Sequence, residues 1–504
     1  MINLAKKSSI YLMHKYWGKK PSDELEKIIL KFSNIGDLIL DPFAGFGGFA
    51  IEGILNNRNV IINDLNPAAT FIAKNVLNEK IDIEKLKKIA NSLKLSYASF
   101  RKEWYSYKNG EIITILRNSE EIPQKIRVKF GNKLEDIKLT HDEQIDFLNK
   151  EQKYVIKTWY PTNTLIKNSR ISAKSGMTNA DLFPKRALIC HSYLFNLIQN
   201  LNDCAEKDFL MFTFTSNLAN CSKLVPPIIS RGDMSQGAWM TGFYIGNTYL
   251  ENNVFHYFEN RLTKAIKGKE CYLKLRKENK VKTTYKILNE DAKHLSLQNN
   301  SIDLVFTDFP YGDTVPYFEQ SQIWNHWLRN KVDYENEIVI SDSPERKKNI
   351  NDFKKSIDRA IYEIFRLLKD KKYFVFTFHS LSGEEWNSIV SALKKYGFTF
   401  CDCEVLLQKT LPPRQLNRSN SIKGDIVAIY QKNKNSLNIN YNFDQNLKDK
   451  INQMQSTKYY ETNELITLCI KSMLATNLDS NINFKNIIEK YFIYNEKICK
   501  WRKK

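Results

Sequence analysis

A short apolar run, Leu38-Ile-Leu40, passes directly into Asp41-Pro-Phe-Ala-Gly-Phe-Gly-Gly48, and no other stretch restricts the fold of the chain as strongly. Glycines at 45, 47 and 48 end any strand and allow backbone shapes closed to other residues. The apolar Phe49–Leu55 that follows reads as a buried helix. A second strand-like run, Asn59-Val-Ile-Ile-Asn63, ends in Asp64-Leu-Asn-Pro67, and a further helix carries Ala68 to Leu77. Strand, glycine loop, helix, strand and acid in this order open an α/β sheet of the Rossmann-like kind. Upstream stand a leader, His14-Lys-Tyr-Trp-Gly-Lys-Lys-Pro21, and a helical pattern from Leu25 to Phe32.

The loop reads neither G-x-G-x-x-G nor G-x-x-x-x-G-K-[ST], which argues against a dinucleotide site and a P-loop. Its glycines still let the backbone approach a ligand, and the helix start presents free N–H groups. An acid at the end of the second strand suits the two hydroxyls of a ribose.

The sheet pattern returns late. Tyr285-Lys-Ile-Leu288 leads into Asn289-Glu-Asp-Ala292, a strand ending at Asp291. Asp303-Leu-Val-Phe-Thr-Asp-Phe-Pro-Tyr311 is a buried strand stopped by a proline turn, which places Asp308, Phe309, Pro310 and Tyr311 at a carboxyl edge. A carboxylate, a carbonyl ahead of proline and an aromatic plane suit a flat heterocycle with an exocyclic amine. The alternative is a helix-capping acid beside a core tyrosine. Lys372–His379 reads as a strand, Trp386–Tyr396 as a helix, and Phe398–Leu407 with Asp425–Tyr430 as a terminal hairpin in which Cys401 and Cys403 face one way. His379 reads as strand-end packing, with a role beside the bound heterocycle as its alternative, and Trp324 and Trp327 as core.

Between the two halves the chain is α+β in pattern. Glu111–Leu116 and Lys125–Phe130 suggest hairpins, Leu188–Leu201 and Phe209–Leu218 buried helices, and Asn247–Lys267 an amphipathic helix. The expected division is 1–80 and 286–433 for a split catalytic domain, 81–285 for an inserted target-recognition region, and 434–504 for a small helical module. With 76 Lys and Arg against 56 Asp and Glu, the net charge is +20, which favours a polyanionic partner. In the insert, Lys167, Arg170, Lys174, Lys223, Arg231 and Gln236 are candidates for DNA contact, each with solvated surface as its alternative. Eight cysteines without a C-x-x-C pair give no zinc spacing or disulfide framework, so no metal and a reduced, cytoplasmic protein are expected. No apolar run is long enough for a bilayer.

Asp41-Pro-Phe-Ala-Gly-Phe-Gly47 resembles the cofactor motif, and Asp308-Phe-Pro-Tyr311 the catalytic [DNS]-P-P-[YFW], of the DNA amino-methyltransferases that modify adenine N6 or cytosine N4. The leader, Thr158-Trp-Tyr-Pro161, Asn220-Cys-Ser-Lys223 and Val315-Pro-Tyr317 resemble a large-insert branch of them. The resemblance implies a class I methyltransferase sheet and S-adenosyl-L-methionine as cofactor. It implies that Asp64 and Leu65 meet the ribose, Asp291 and Ala292 the adenine, and Asp41, Phe43, Gly45, Gly47 and Gly48 the methionine end, with Trp17 and Lys19 closing over it. It implies that Asp308 and the Phe309 carbonyl receive the target amine while Tyr311 stacks on a flipped base. Phe309 departs from the usual proline, and the cysteine zinc ribbon of some relatives is missing around Trp104–Gly110. The function expected is site-specific methylation of double-stranded DNA, adenine N6 ahead of cytosine N4, in restriction-modification or phage defence beside a separately encoded endonuclease. The alternatives are an RNA amino-methyltransferase (guanine N2 or adenine N6) and an inactive nucleic-acid binder.

Overall fold

The computed structural model describes residues 4–279, 281–380, 382–406, 424–433, 442–476 and 483–504. Leu407 of the expected hairpin and the start of the expected 434–504 module lie outside these residues.

The first half runs α1 (Leu4–Tyr11), α2 (Ser22–Phe32), β1 (Leu38–Asp41), α3 (Gly48–Leu55), β2 (Asn59–Asn63) and α4 (Pro67–Leu77). The sheet resumes with β8 (Tyr285–Leu288) and β9 (Ile302–Asp308), followed by α10 (Tyr317–Asn325), α11 (Ile350–Leu367), β10 (Leu368–Phe378), α12 (Gly383–Tyr396), β11 (Phe398–Leu406) and β12 (Asp425–Lys432). These strands form one seven-stranded sheet in the order β11-β12-β10-β9-β1-β2-β8. β12 runs antiparallel to both its neighbours, and the other recorded pairings are parallel. Val60 pairs with Tyr285, so the sheet closes across the whole insertion. This is a mixed α/β, Rossmann-like sheet with a terminal hairpin. Strand alternation sends Ile39, Val60, Ile62, Leu304 and Phe306 to one core and Leu40, Ile61, Val305, Phe374 and Phe376 to the other.

Between α4 and β8 the order is α5 (Ile83–Tyr105), β3 (Ser106–Tyr107), β4 (Gly110–Asn118), β5 (Pro123–Phe130), β6 (Lys133–Lys138), α6 (His141–Lys153), α7 (Lys185–Gln199), α8 (Ala205–Leu218), β7 (Thr248–Asn252) and α9 (Val254–Glu278). The five strands make an antiparallel sheet with β7 on β4. The helix expected over Asn247–Lys267 is therefore corrected: it begins as β7, and α9 starts where the Asn253 side chain accepts the N–H groups of Phe255 and His256 (both 3.1 Å). A buried quartet ties the region together, with Arg117 on Glu251 (2.5 Å) and Glu151 (2.6 Å) and Arg186 also on Glu151 (2.9 Å).

The C-terminal residues form α13 (Phe443–Asn452), β13 (Tyr459–Tyr460), α14 (Thr462–Thr476), α15 (Phe484–Tyr491), β14 (Phe492–Asn495) and β15 (Lys500–Lys503). The module expected to be helical thus also holds a three-stranded sheet, missed because strands this short leave no periodicity to read. Cys401 and Cys403 do not share a face. A bulge between Phe400 and Asp402 breaks the alternation, leaving Cys401 exposed and Cys403 buried. Among the described residues no helix is long and apolar enough to cross a membrane.

Candidate active site

β9 lies between β1 and β10, and its end carries the turn that holds Asp308. Asp303 anchors the start of the strand: its carboxylate accepts the Leu38 N–H (3.1 Å) and pairs with Lys369 (2.8 Å). Phe309 is fully buried, its ring 5.9 Å from Phe43, 6.0 Å from Phe374 and 5.3 Å from Phe376. Packing against three rings restrains the turn where a proline would do so covalently. Replacing Phe309 with Ala should cost about 3–5 kcal/mol of stability, read as a fall in Tm.

Asp308 Oδ1 accepts three donors: Thr377 Oγ1 at 2.6 Å, the Tyr311 hydroxyl at 2.8 Å and Lys20 Nζ at 2.8 Å. Lys20 arrives from the leader, is buried, and also reaches Asp425 Oδ2 (2.7 Å) and the Tyr311 hydroxyl (2.5 Å). His379 closes the cluster, with Nδ1 2.9 Å from the Gly424 carbonyl and 3.4 Å from Asp425. Burial raises the Asp308 pKa against the pull of the Lys20 ammonium. At Asp425 burial is outweighed by Lys20 and His379 together, and its carboxyl is held well below the usual range. At His379 burial is outweighed by Asp425, which raises the imidazole pKa.

Two expectations change here. Tyr311 does not offer an open stacking face: its ring is 8 % exposed, 6.2 Å from both Phe378 and His379, and its hydroxyl is drawn onto Asp308. His379, read as packing, belongs to the polar cluster.

One cleft is lined by Asp308 and Pro310 and also by Trp17, Lys19, Lys20, Asp41, Phe43, Gly45, Gly48, Asp64, Leu65, Asp291 and Ala292. The early and late corners of the sequence therefore open onto the same space. Gly47 is an exception: it lies outside that lining and packs on α4, where an added Cβ would meet the Ala73 Cβ at 3.2 Å. The Asp41 carboxylate accepts the Phe43 N–H (3.1 Å) and that of Asp64 accepts Gly45 (2.8 Å) and Asn66 (2.9 Å), which sets the loop. Asp291 accepts the Lys293 N–H (3.0 Å). The leader is held down by tilted packing of the Trp17 ring against Trp324 (4.9 Å) and by Arg261 of α9 donating to the Met13 carbonyl (2.7 Å).

Gly45 has φ +51, and a Cβ there would stand 2.9 Å from Tyr16 of the leader. Gly45→Ala should therefore displace the leader and weaken cofactor binding by about tenfold or more, measurable by calorimetry.

The donor set suits a nucleoside bearing an amino-acid end. Asp64 and Asp291 stand at the ends of the adjacent strands β2 and β8, in the cleft. Lys19 is buried, donates to the Tyr11 and His14 carbonyls (2.6 and 2.5 Å) and lies 3.6 Å from the Phe46 ring centroid. Burial, Arg261 and Lys15 push its pKa well down, so an anionic carboxylate in the cleft would relieve its electrostatics. Asp64 is raised to about 6 by burial. Protonation below that pH removes a charged acceptor, so affinity for S-adenosylhomocysteine should fall as pH drops through 6 and Asp64→Asn should flatten the profile.

Of the residues expected at nucleic acid, Lys167, Lys174 and Arg231 are exposed. Arg170 is paired with Asp313 beside the Asp308–Tyr311 turn (2.7 Å), Lys223 with Glu121 (2.5 Å), and Gln236 accepts the Tyr257 hydroxyl (2.6 Å). The sequence reading missed Lys20, Thr377 and Asp425. Lys20 had a signal as the last of the three lysines of the leader motif; Asp425 had none. Among the described residues no group of three or more His, Cys, Asp or Glu could hold a metal ion.

Comparison with known proteins adds four findings. Residues 3–75 match a family model described as DNA methylase. The chain is similar to a tRNA (guanine(37)-N(1))-methyltransferase of Candida albicans, 37% identical over 108 residues, 20% of this chain and 23% of that one. It is also similar to the type II methyltransferase M.MjaII of Methanocaldococcus jannaschii, 36% identical over 80 residues, 16% of this chain and 15% of that one. The chain thus spans less than a quarter of the length of these curated relatives. A solved S-adenosylmethionine-dependent methyltransferase of Methanosarcina mazei aligns at 17% identity over 30% of this chain and 68% of that one, but its TM-score of 0.16 carries no argument. The sheet order is Rossmann-like, and the matched region holds the glycine loop and Asp64, which line the cleft.

Proposed function

We propose that the chain is a DNA amino-methyltransferase acting on the exocyclic amine of a flipped base, adenine N6 ahead of cytosine N4, in restriction-modification or phage defence. The observation that carries this reading is the shared cleft: Asp308 and Pro310 line the same space as Asp41, Asp64, Asp291 and Lys19. The cofactor, when bound, supplies an electrophilic methyl group on sulfonium. Asp64 would hold the ribose, Asp291 the adenine, and Lys19 with the Phe43–Gly48 loop the methionine end. Asp308, fixed by Thr377, accepts an N–H of the target amine and so raises electron density on the attacking nitrogen. It then takes the proton that this nitrogen must lose. Lys20 now occupies one acceptor position on Asp308, so its ammonium stands in for the donor amine and would shift toward Asp425 when the base enters. Binding and alignment of the two reactants supply much of the remaining rate.

A second reading, methylation of tRNA, is favoured by the similarity to guanine-37 N1 enzymes. Guanine N1 is a ring nitrogen that must lose a proton to act, and a carboxylate at the position of Asp308 also suits that step. Labelled cofactor offered with duplex DNA or total tRNA, followed by nucleoside analysis, separates them. N6-methyladenine or N4-methylcytosine in DNA is the expected product; N1-methylguanosine or N2-methylguanosine in tRNA would replace the first reading with the second.

A further inference from the structure

The C-terminal residues run helix, strand, helix, helix, strand, strand, and the strands lie antiparallel in the order β13-β15-β14. That succession and strand order are those of a winged helix, in which the third helix is the one offered to a groove. α14 is the buried member: Leu465, Cys469, Ile470 and Met473 join the core on the β11 side of the catalytic sheet. α15 turns only Phe484 and Ile488 fully inward and exposes Lys485, Asn486, Glu489 and Lys490. The β14–β15 loop projects Lys497 and Ile498 into solvent, with Ile498 47 % exposed and Ile493 at its base 60 % exposed.

The module is rigidly built. Trp501 donates to Thr462 Oγ1 (2.9 Å), Lys503 to the Ile451 carbonyl at the end of α13 (2.8 Å), and Lys504 to the Glu489 carbonyl near the end of α15 (2.7 Å). Between 483 and 504 there are seven Lys or Arg against two Glu. Lys503 and Lys504 are engaged on carbonyls and Lys485 stands 3.7 Å from Glu489 on α15, so the outward charge is shared by Lys485 and Lys490 of α15, Lys497 of the loop, and Lys500 and Arg502 of β15.

The occupant follows from shape as well as charge. An α-helix with its side chains is about 10–12 Å across, which the roughly 12 Å wide major groove of B-DNA admits. The A-form major groove of duplex RNA is too deep and narrow for such a helix. We infer that residues 442–476 and 483–504 form a winged-helix module that docks duplex DNA, with α15 in the major groove and Lys497 and Ile498 on the adjoining backbone. The inference stands on this topology and surface, apart from the catalytic reading, and it bears on the choice between DNA and tRNA.

The test is fluorescence anisotropy of the full-length chain with labelled duplex DNA of about three helical turns, across a salt series, against duplex RNA of equal length and total tRNA. Duplex DNA should bind more tightly than duplex RNA by about tenfold or more. The variant Lys485→Gln, Lys490→Gln, Lys497→Gln should weaken DNA binding by about tenfold or more and lower the salt slope by about two to three. Its S-adenosylhomocysteine affinity and Tm should not move. Unchanged DNA affinity and slope in the triple variant would overturn the inference, as would tRNA or duplex RNA binding that is tighter than DNA binding and lost in that variant. Asp308→Ala should leave this binding intact, so loss of transfer and loss of docking are read separately.

Discussion

Asp308→Ala is expected to lose methyl transfer by roughly 10³-fold while S-adenosylhomocysteine affinity stays unchanged. Asp308 is the carboxylate in the cleft that Thr377 and Tyr311 both hold, and on the proposed mechanism its removal deletes the acceptor for the target amine. It makes none of the recorded contacts that shape the glycine loop, which hangs on Asp41 and Asp64 instead. Single-turnover assays with labelled cofactor measure the first quantity and calorimetry the second. Transfer persisting within about tenfold of the parent would remove Asp308 from the chemistry.

Lys20→Met should be among the most destabilising single changes near the cleft, on a par with Phe309→Ala. It strips the cation from two buried carboxylates, Asp308 and Asp425, which lie 2.8 and 2.7 Å from its Nζ. Breaking a buried ion pair on one side costs about 3–5 kcal/mol, enough to lower Tm by several degrees. The sign of its pH dependence follows from Asp425. In the parent chain its depressed pKa gives stability that is present above the unfolded value and is lost as pH falls through the folded one. In the variant the two carboxylates repel unless protonated, so acid relieves them. The Tm deficit should therefore be larger at pH 8 than at pH 5. An equal deficit at both would mean that Lys20 acts through packing alone. Lys20→Arg, which keeps the charge, should recover most of the stability.

Lys20 also shows why part of the site was hidden from sequence. The glycine loop, Asp64, Asp291 and Asp308 could be picked out because each stands at the end of an apolar run of strand type, and a strand end in such a sheet faces the ligand. Phe309 could be seen as a departure from the motif, but not as a ring wedged among Phe43, Phe374 and Phe376, since those partners lie on two other segments, the glycine loop and β10. The short strands of the C-terminal module carried no period, and the helix expected over Asn247–Lys267 hid a strand that only pairing with β4 defines.

The chain alone determined the Rossmann-like order of elements and the two motif corners, because hydrophobic period, glycine position and proline turns act locally. Tertiary structure alone decided that Lys20, Thr377 and Asp425 meet Asp308. Thr377 faces Asp308 across the β9–β10 pairing, and the antiparallel insertion of β12 brings its first residue, Asp425, to the carboxyl end of those strands. The leader then folds back over this edge and places an ammonium between two carboxylates. Such contacts are set by strand direction and chain closure over hundreds of residues, and no local pattern encodes them.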